Sequence, residues 1–457
     1  MKRYHFIAIG GAAMHNLALA LHLKNFMITG SDDEIFEPAR GRLAHYGLLP
    51  EREGWFPEKL DTELEGVILG MHARADNPEL LRAKELGLRI FSYPEFLYEQ
   101  SRDKKRIVIG GSHGKTTITG IILHAMKAAG IETDYMVGAK LEGFDVMVRL
   151  SESAQYMIFE GDEYLTSPLD LKPKFHWYHP HIAVLSGIAW DHINVFPTFE
   201  NYIEQFRIFI KLIENEGKLI YCEADETLKK LCEEEGGSLK LIPYHGLQAM
   251  NPQGQNYVVF KGKQYQTPLF GRHNMMNLQA GMEVCKSIGI SEEDFLKSMH
   301  NFVGAANRLE KVAENKSSVV YKDFAHAPSK VIATVQAVRE QFPGRKVIAC
   351  LELHTFSSLN REFLGQYASC LDAADVAMVY YNLHALALKK LPSLDPVFVM
   401  EGFQRSDLEV YSNSGLLQER LMNLGSPGSV LLLMSSGNFD GMDIAGFGKQ
   451  FIGNCNV

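Results

Sequence analysis

Arg106-Ile107-Val108-Ile109-Gly110-Gly111-Ser112-His113-Gly114-Lys115-Thr116-Thr117 is the stretch from which the rest of the chain is read. A short β-rich run, Arg106–Gly110, breaks at two glycines and enters a helical pattern from Thr117 to about Ala129. A glycine-rich turn between a strand and a helix leaves backbone N–H groups unpaired and aims a helix N-terminus at the same point, which makes a cradle for phosphate. Gly111, Ser112, His113, Gly114 and Thr117 supply the wrap. Lys115 has the reach for β- and γ-phosphates, and the Thr116 hydroxyl suits Mg²⁺, so an ATP site is expected. The loop is shorter than the common G-x-x-x-x-G-K-[ST] form, whose first glycine would fall on Ile109.

Outward from this turn, strand Gln155–Phe159 leads into Glu160-Gly161-Asp162-Glu163-Tyr164, and strand Ile182–Ile188 leads toward Trp190-Asp191-His192. Ligands of parallel sheets gather beyond the carboxyl ends of the strands. Glu160 and His192 therefore join Thr116 as candidate metal ligands. A carboxylate suits a hard ion; imidazole is a less usual partner, and His192 taken alone reads equally as structural. Glu163 reads two ways, as a residue behind the metal's ligands or as a solvated loop acid.

Strand-like runs alternate with helical patterns along the whole chain, the mark of α/β domains with mostly parallel sheets. The N-terminal part offers a strand at Tyr4–Ile9, a helix at Met14–Leu23 and a strand at Phe26–Gly30. The polar run Gln100–Lys105 marks a boundary. A helix is expected from Asn274 to about Lys286, and later strands at Val319–Tyr321, Lys346–Cys350, Val376–Tyr380 and Val430–Met434. Three domains result: residues 1–105 Rossmann-like, 106–306 P-loop ATPase-like, and 307–457 Rossmann-like.

The chain has 457 residues and a formal net charge of −9, which argues against a nucleic-acid footprint. No apolar run approaches the roughly 18 residues of a membrane helix. Met1-Lys2-Arg3 precedes an apolar run too short for a signal peptide, so a cytoplasmic location is expected. Six scattered cysteines contain no CxxC pair and read as reduced, buried thiols.

These motifs, in this order, resemble the Mur ligase family, the ATP-dependent amide-forming enzymes of peptidoglycan synthesis. Gly111–Thr117 matches the family's G-[ST]-x-G-K-[ST]-[ST], Glu160–Glu163 its Glu-x-Asp-Glu, and Asp191–His192 its Asp-His. The resemblance implies that Asn274 and Asn277 of His273-Asn274-Met275-Met276-Asn277 lie near adenine. It implies that Arg308, in Asn307-Arg308-Leu309-Glu310, contacts the γ-phosphate, and that Asp323, in Asp323-Phe324-Ala325-His326-Ala327-Pro328, closes over the nucleotide. It also implies that Gly10, Gly11, Ala12, Ala13, Met14 and Asp32 hold the UDP part of UDP-N-acetylmuramate, with His72 as a further candidate. Lys115, His192, Glu160 and Arg308 are then the expected catalytic set, ATP and Mg²⁺ the cofactors, and the C-terminal domain the holder of the incoming amine. Asp162-Glu163-Tyr164 through Lys172–Pro180 resembles the branch that adds L-alanyl-γ-D-glutamyl-meso-diaminopimelate rather than the branch that adds L-alanine.

Three departures stand out. Ala327 replaces the second histidine of Asp-[YF]-[GA]-His-His-Pro, and His354 stands in Glu352-Leu353-His354-Thr355-Phe356 where the peptide-adding branch has arginine. Histidine cannot reproduce a guanidinium fork on a carboxylate. Ala12 and Ala13 add two methyl groups to the N-terminal turn, slightly narrowing backbone approach to a diphosphate. His326 and His354 are candidates on the amine side, although His326 reads more readily as a hydrogen-bonded hinge histidine. No carbamylated lysine is expected, because the run Asn201–Arg207 holds no lysine before Lys211. Rival readings are a folylpolyglutamate synthase, against which the UDP-type N-terminus speaks; a non-catalytic nucleotide-binding regulator, a minor alternative that Ala327 and the Glu-Leu-His segment keep open; and an NAD-dependent oxidoreductase, resting on Gly10-Gly11 alone. An arginine that reaches ATP from a separate domain requires closure. Small-angle scattering should therefore show a smaller radius of gyration with an ATP analogue and UDP-sugar together than without them. An unchanged radius would refute closure.

Overall fold

A computed structural model describes residues 1–71, 73–167, 169–190, 195–304 and 306–455. The chain forms two compact units. One comprises Met1–Ile188, Phe199–His245 and Ala280–Phe295; the other comprises Ala189–Thr198, Gly246–Gln279 and Leu296–Val457.

The first unit carries two parallel sheets. Strands β1 (Arg3–Ile7), β2 (Met27–Ser31), β3 (Gly66–Leu69) and β4 (Ile90–Ser92) lie in the order β2-β1-β3-β4. The first strand ends two residues earlier than its apolar run suggests, because Ala8 takes φ +66° and turns the chain toward Gly10. The helix that follows starts at Ala12, not Met14, and ends at Leu23. The second sheet comprises β5 (Lys105–Gly110), β6 (Thr133–Met136), β7 (Val148–Arg149), β8 (Tyr156–Glu160), β11 (Ile182–Leu185), β12 (Lys218–Cys222) and β13 (Lys240–Tyr244). Its order is β13-β12-β11-β5-β8-β6-β7, parallel except for β7. Strands β9 (Leu165–Ser167) and β10 (Asp170–Pro173) form a separate antiparallel hairpin. The central strands β5, β8 and β11 are nearly continuous apolar runs because they are buried on both faces.

The linker between the two sheets is fixed by one side chain. Arg106, on β5, has a guanidinium only 3% exposed. Its Nε donates to the carbonyls of Tyr178 (2.9 Å) and His179 (3.0 Å), one terminal nitrogen to Ser101 (3.1 Å) and Arg102 (3.1 Å), and the other to Glu214 (2.7 Å). Beside it, Lys104 pairs with the fully buried Asp134 at 2.8 Å.

The second unit carries an antiparallel sheet, β14 (Gln248–Met250), β15 (Tyr257–Phe260) and β16 (Lys263–Gln266), and a six-stranded sheet. The latter comprises β17 (Glu310–Glu314), β18 (Val319–Asp323), β19 (Lys346–Leu353), β20 (Val376–Tyr381), β21 (Glu409–Tyr411) and β22 (Ser429–Met434), ordered β17-β18-β22-β19-β20-β21, with only β17 antiparallel. Alternate residues feed two cores. Val319, Val347, Ala349, Leu351, Val379 and Leu432 pack on one face, and Val320, Ile348, Cys350, Met378 and Leu433 on the other. All six cysteines are free and buried, as expected. Among the described residues no helix is long and apolar enough to cross a membrane.

Arg106→Ala should strand several buried carbonyls at once. At about 1–3 kcal/mol for each buried group left unpaired, partly relieved by water, a net loss of about 2–4 kcal/mol is expected. Urea unfolding of the variant would measure it, and a loss below 1 kcal/mol would show that the linker is held otherwise.

Candidate functional site

The carboxyl ends of β5, β8 and β11 meet at one edge of the central sheet. The turn after β5 needs glycine twice. Gly111 has φ +110°, and a Cβ there would lie 2.5 Å from Ser186 Oγ and 2.7 Å from its backbone nitrogen. Gly114 has φ +71° and launches a helix that begins at Lys115, two residues before the expected start, and runs to Ala128. The turn is tied to the chain after β11: the Ser112 N–H donates to the Gly187 carbonyl at 3.0 Å, and the Ser186 hydroxyl donates to the His113 carbonyl. Thr116 and Thr117 are buried in the first helical turn.

Thr116 Oγ1 donates to Glu160 Oε1 at 2.6 Å, while Glu160 Oε2 takes the Gly138 N–H at 2.8 Å. Two hard oxygen donors, one from the first turn of the helix after β5 and one from the end of β8, therefore converge, which is chemistry that fits Mg²⁺ completed by water and phosphate oxygens. Strand β11 ends at Leu185, three residues short of the expected Ile188, because the chain leaves the ladder to form the Ser186–Gly187 contacts with the turn. Asp191 and His192 lie outside the described residues. Among the described residues no group of three or more His, Cys, Asp or Glu gathers to hold a metal.

Lys115 Nζ donates to the Gly111 carbonyl at 2.7 Å and to Glu163 Oε2 at 2.8 Å. Burial works against its charge, but Glu163 and Asp162 outweigh this and hold the ammonium above the ordinary lysine value. Glu163 is thus not a solvated acid; it is 1% exposed and also accepts from the Tyr202 hydroxyl at 2.9 Å. Asp162 pairs with Lys174 at 2.6 Å; burial would raise its carboxyl, but Lys174 and Lys115 hold it below the ordinary range. Tyr202 was not legible as a site residue, since it sits with Phe206, Phe209 and Ile210 in the apolar stripe of helix Phe199–Lys211. Lys211, at the end of that helix, pairs with Glu235 at 3.2 Å.

The N-terminal turn is a second centre in the same unit. The Gly10 N–H donates to Asp32 Oδ2 at 2.7 Å, and a Cβ on Gly10 would meet that oxygen at 2.9 Å. Ala12, Ala13 and Met14 form the first helical turn beyond Gly11. Burial pushes the Asp32 carboxyl up to about 6, against the opposing Gly10 N–H. His72 lies outside the described residues.

In the second unit, Asn274 and Asn277 share one face of helix Arg272–Ser287. Asn274 Nδ2 donates to the Phe270 carbonyl at 2.9 Å, and Asn277 Nδ2 donates to Asn274 Oδ1 at 3.3 Å. Arg308 lies over the Phe324 ring at 4.6 Å. Asp323 ties its own segment to that arginine's, taking the N–H groups of Leu309 (2.6 Å) and Ala325 (2.7 Å). His326 Nδ1 donates to the Phe324 carbonyl at 2.9 Å, and the Tyr367 hydroxyl donates to the His326 carbonyl. At the end of β19, Glu352 is 1% exposed and accepts from the Ser435 hydroxyl and the Phe439 N–H, with His354 Nδ1 at 3.7 Å.

Comparison with known proteins gives one family. Residues 3–105 match the Mur ligase family, catalytic domain; residues 109–285 the Mur ligase middle domain; and residues 307–437 the Mur ligase, glutamate ligase domain. The UDP-N-acetylmuramate–L-alanine ligase of Streptococcus sanguinis (strain SK36) is 32% identical over 399 residues, covering 83% of this chain and 84% of the relative. The structure of a murein peptide ligase from Psychrobacter arcticus 273-4 superposes with TM-score 0.66 at 21% identity, over 99% of this chain and 98% of that one. That of the UDP-N-acetylmuramate:L-alanyl-gamma-D-glutamyl-meso-diaminopimelate ligase from Neisseria meningitides gives TM-score 0.60 at 26% identity, over 66% of this chain and 98% of that one.

The raised Asp32 carboxyl has a testable sign. An acid whose value is higher folded than unfolded binds more proton in the native state, so its cost appears as pH rises from about 4 through about 6. Relative to D32N, the wild type should lose about 1–3 kcal/mol of stability between pH 4 and pH 7. Parallel stability curves for the two proteins would refute this.

Proposed function

We propose, from the premise that this chain belongs to the Mur ligase family of ATP-dependent carboxylate–amine ligases, that it joins the lactoyl carboxylate of UDP-N-acetylmuramate to the amine of L-alanyl-γ-D-glutamyl-meso-diaminopimelate in the cytoplasm. The observation that carries the ATP half is the meeting of Lys115, Thr116 and Glu160 at one strand edge.

A carboxylate is a poor acylating agent, so its oxygen must first become a leaving group. A carboxylate oxygen attacks the γ-phosphorus, the bond to the β-phosphate oxygen breaks, and ADP departs. The amine then attacks the acyl carbon, gives up a proton, and the tetrahedral intermediate expels phosphate. In this reading the Gly111–Gly114 amides cradle the phosphates, and Lys115 and Arg308 offset charge on the transferring group. Thr116 and Glu160 would hold Mg²⁺, which supplies further charge neutralisation at the phosphates. Asn274, Asn277 and Asp323 serve the nucleotide; Gly10 to Met14 with Asp32 serve the UDP group. Burial and hydrogen bonding hold these parts in place before reaction, so positioning supplies much of the rate.

The choice of acceptor leans on the segment Asp162–Pro180. There the Asp162–Lys174 pair at 2.6 Å, and the Phe175 N–H closing on the Asp162 carbonyl at 3.0 Å, tie together the two ends of the segment that carries hairpin β9–β10. The Neisseria peptide ligase supports the same choice. L-alanine is the second reading, favoured by the 32% identity to the Streptococcus sanguinis enzyme.

Phosphate release should require ATP, UDP-N-acetylmuramate and the tripeptide together. Turnover with L-alanine but not the tripeptide would select the second reading, and turnover with neither would remove the ligase proposal. K115A should abolish release while UDP-sugar binding persists.

A further inference from the structure

Resting on that ligase reading, we propose that Glu163 and Tyr202 are positioning residues that hold the Lys115 ammonium with one N–H free for the nucleotide. An ammonium has three N–H donors. Here Gly111 O takes one at 2.7 Å, and Glu163 takes a second through Oε2 at 2.8 Å, with Oε1 at 3.2 Å. The third is left for a phosphate oxygen in the loop.

What makes Glu163 a fixed reference is Tyr202. Its hydroxyl is 2.9 Å from Glu163 Oε1 and 3.1 Å from Ser112 Oγ. The carboxylate can only accept, so the Tyr202 proton goes to Glu163. The Ser112 hydroxyl must then donate to Tyr202. The bonds run from Ser112 to Tyr202, to Glu163, to Lys115 and on to the Gly111 carbonyl. They form a ring that starts and ends on adjacent residues of one turn.

Two members of the ring are deeply buried. Tyr202 is fully buried, with its ring edge-on to Phe206 at 5.2 Å. Glu163 is 1% exposed. Lysine has a flexible four-carbon stem and behaves as a point charge without directional preference. The ring removes that freedom before the nucleotide arrives, so its value is realised in the transition state and little of it in ground-state binding. The same ring couples helix Phe199–Lys211, which follows the Asp191–His192 segment in sequence, to the phosphate turn.

The direct test is the ¹⁵N-lysine side-chain spectrum of the full chain, which needs no turnover. Beside the signal of the buried Lys104, the wild type should show a slowly exchanging ammonium signal that K115A removes and Mg·ADP shifts. E163Q should lose it, and Y202F should broaden it. In phosphate release, Y202F should lower kcat about tenfold, and E163Q about a hundredfold, with KM for ATP changed by no more than about twofold. E163D should recover part of the activity that E163A loses. A Lys115 signal unchanged in E163Q would overturn the proposal. So would wild-type kcat in both variants, or losses of kcat that merely track losses of thermal stability. A wild type that turns over neither acceptor would sink the ligase reading, while the spectrum would still decide the ring.

Discussion

The Lys115 ammonium lies where the central sheet ends, largely out of water, and a charge in such a place costs several kcal/mol unless it is paired and hydrogen-bonded. Much of the local architecture follows from meeting that requirement. The Gly111 carbonyl can face the ammonium because φ +110° turns the backbone over Ser186, a conformation and a clearance that only glycine permits. Glu163 meets Lys115 on one side and the Tyr202 hydroxyl on the other, so its oxygens have partners in the interior. Strand β11 stops short so that Ser186 and Gly187 can brace the same turn.

The other sheets follow the same logic at lower charge. In the N-terminal sheet, a tight turn after β1 is closed by the acid that ends β2, and a buried His5–Glu79 pair at 3.1 Å lies beneath it, with Glu79 also taking the Phe56 N–H at 2.7 Å. In the C-terminal sheet, Asp323 is the last residue of β18 and Glu352 the last but one of β19, and both accept from backbone N–H groups of neighbouring loops. Each is a carboxylate at the carboxyl end of a parallel strand spending its lone pairs on loop amides. That arrangement orders loops without needing an apolar core beneath them, and half-buried side chains such as Arg308 and His354 sit on the loops so ordered.

The parallel sheets were legible because their strands are apolar runs of the right length between glycine-rich turns. The glycine turn between β5 and its helix was legible because Gly111, Gly114 and Lys115 have few other uses in that spacing. Strand ends were less so. Ala8 at φ +66° and the contacts at Ser186 and Gly187 are set by tertiary packing, and nothing in the local pattern announces them. The antiparallel strands β14 to β17 are short and carry many polar residues, so periodicity does not separate them from loop. Tyr202 stayed hidden for a different reason. One phenol oxygen in an otherwise apolar helical stripe has the sequence signature of core. Glu163 was ambiguous because burial, which decides its role, is a property of the folded chain.

The two departures from the family pattern in the C-terminal domain acquire a physical setting. Ala327 caps helix Pro328–Gln341 with no side-chain hydrogen bond, and the His326 beside it is committed through Nδ1 to the Phe324 carbonyl. A second imidazole at residue 327 would stand at the N-terminus of that helix, where a cation is disfavoured by the dipole. Its loss therefore costs the fold little. His354 differs. Its Nδ1 lies 3.7 Å from Glu352, and a Cβ on Gly437 would meet it at 2.6 Å, so the ring fills the space that glycine leaves. An arginine would extend past this point, whereas the histidine ends there beside a carboxylate that is already hydrogen-bonded. An acceptor carboxylate arriving at this loop would meet a single imidazole edge, a weaker and less directional partner than a guanidinium fork. On the proposed peptide-adding reading, recognition of the acceptor would then rest more heavily on groups other than this loop's imidazole.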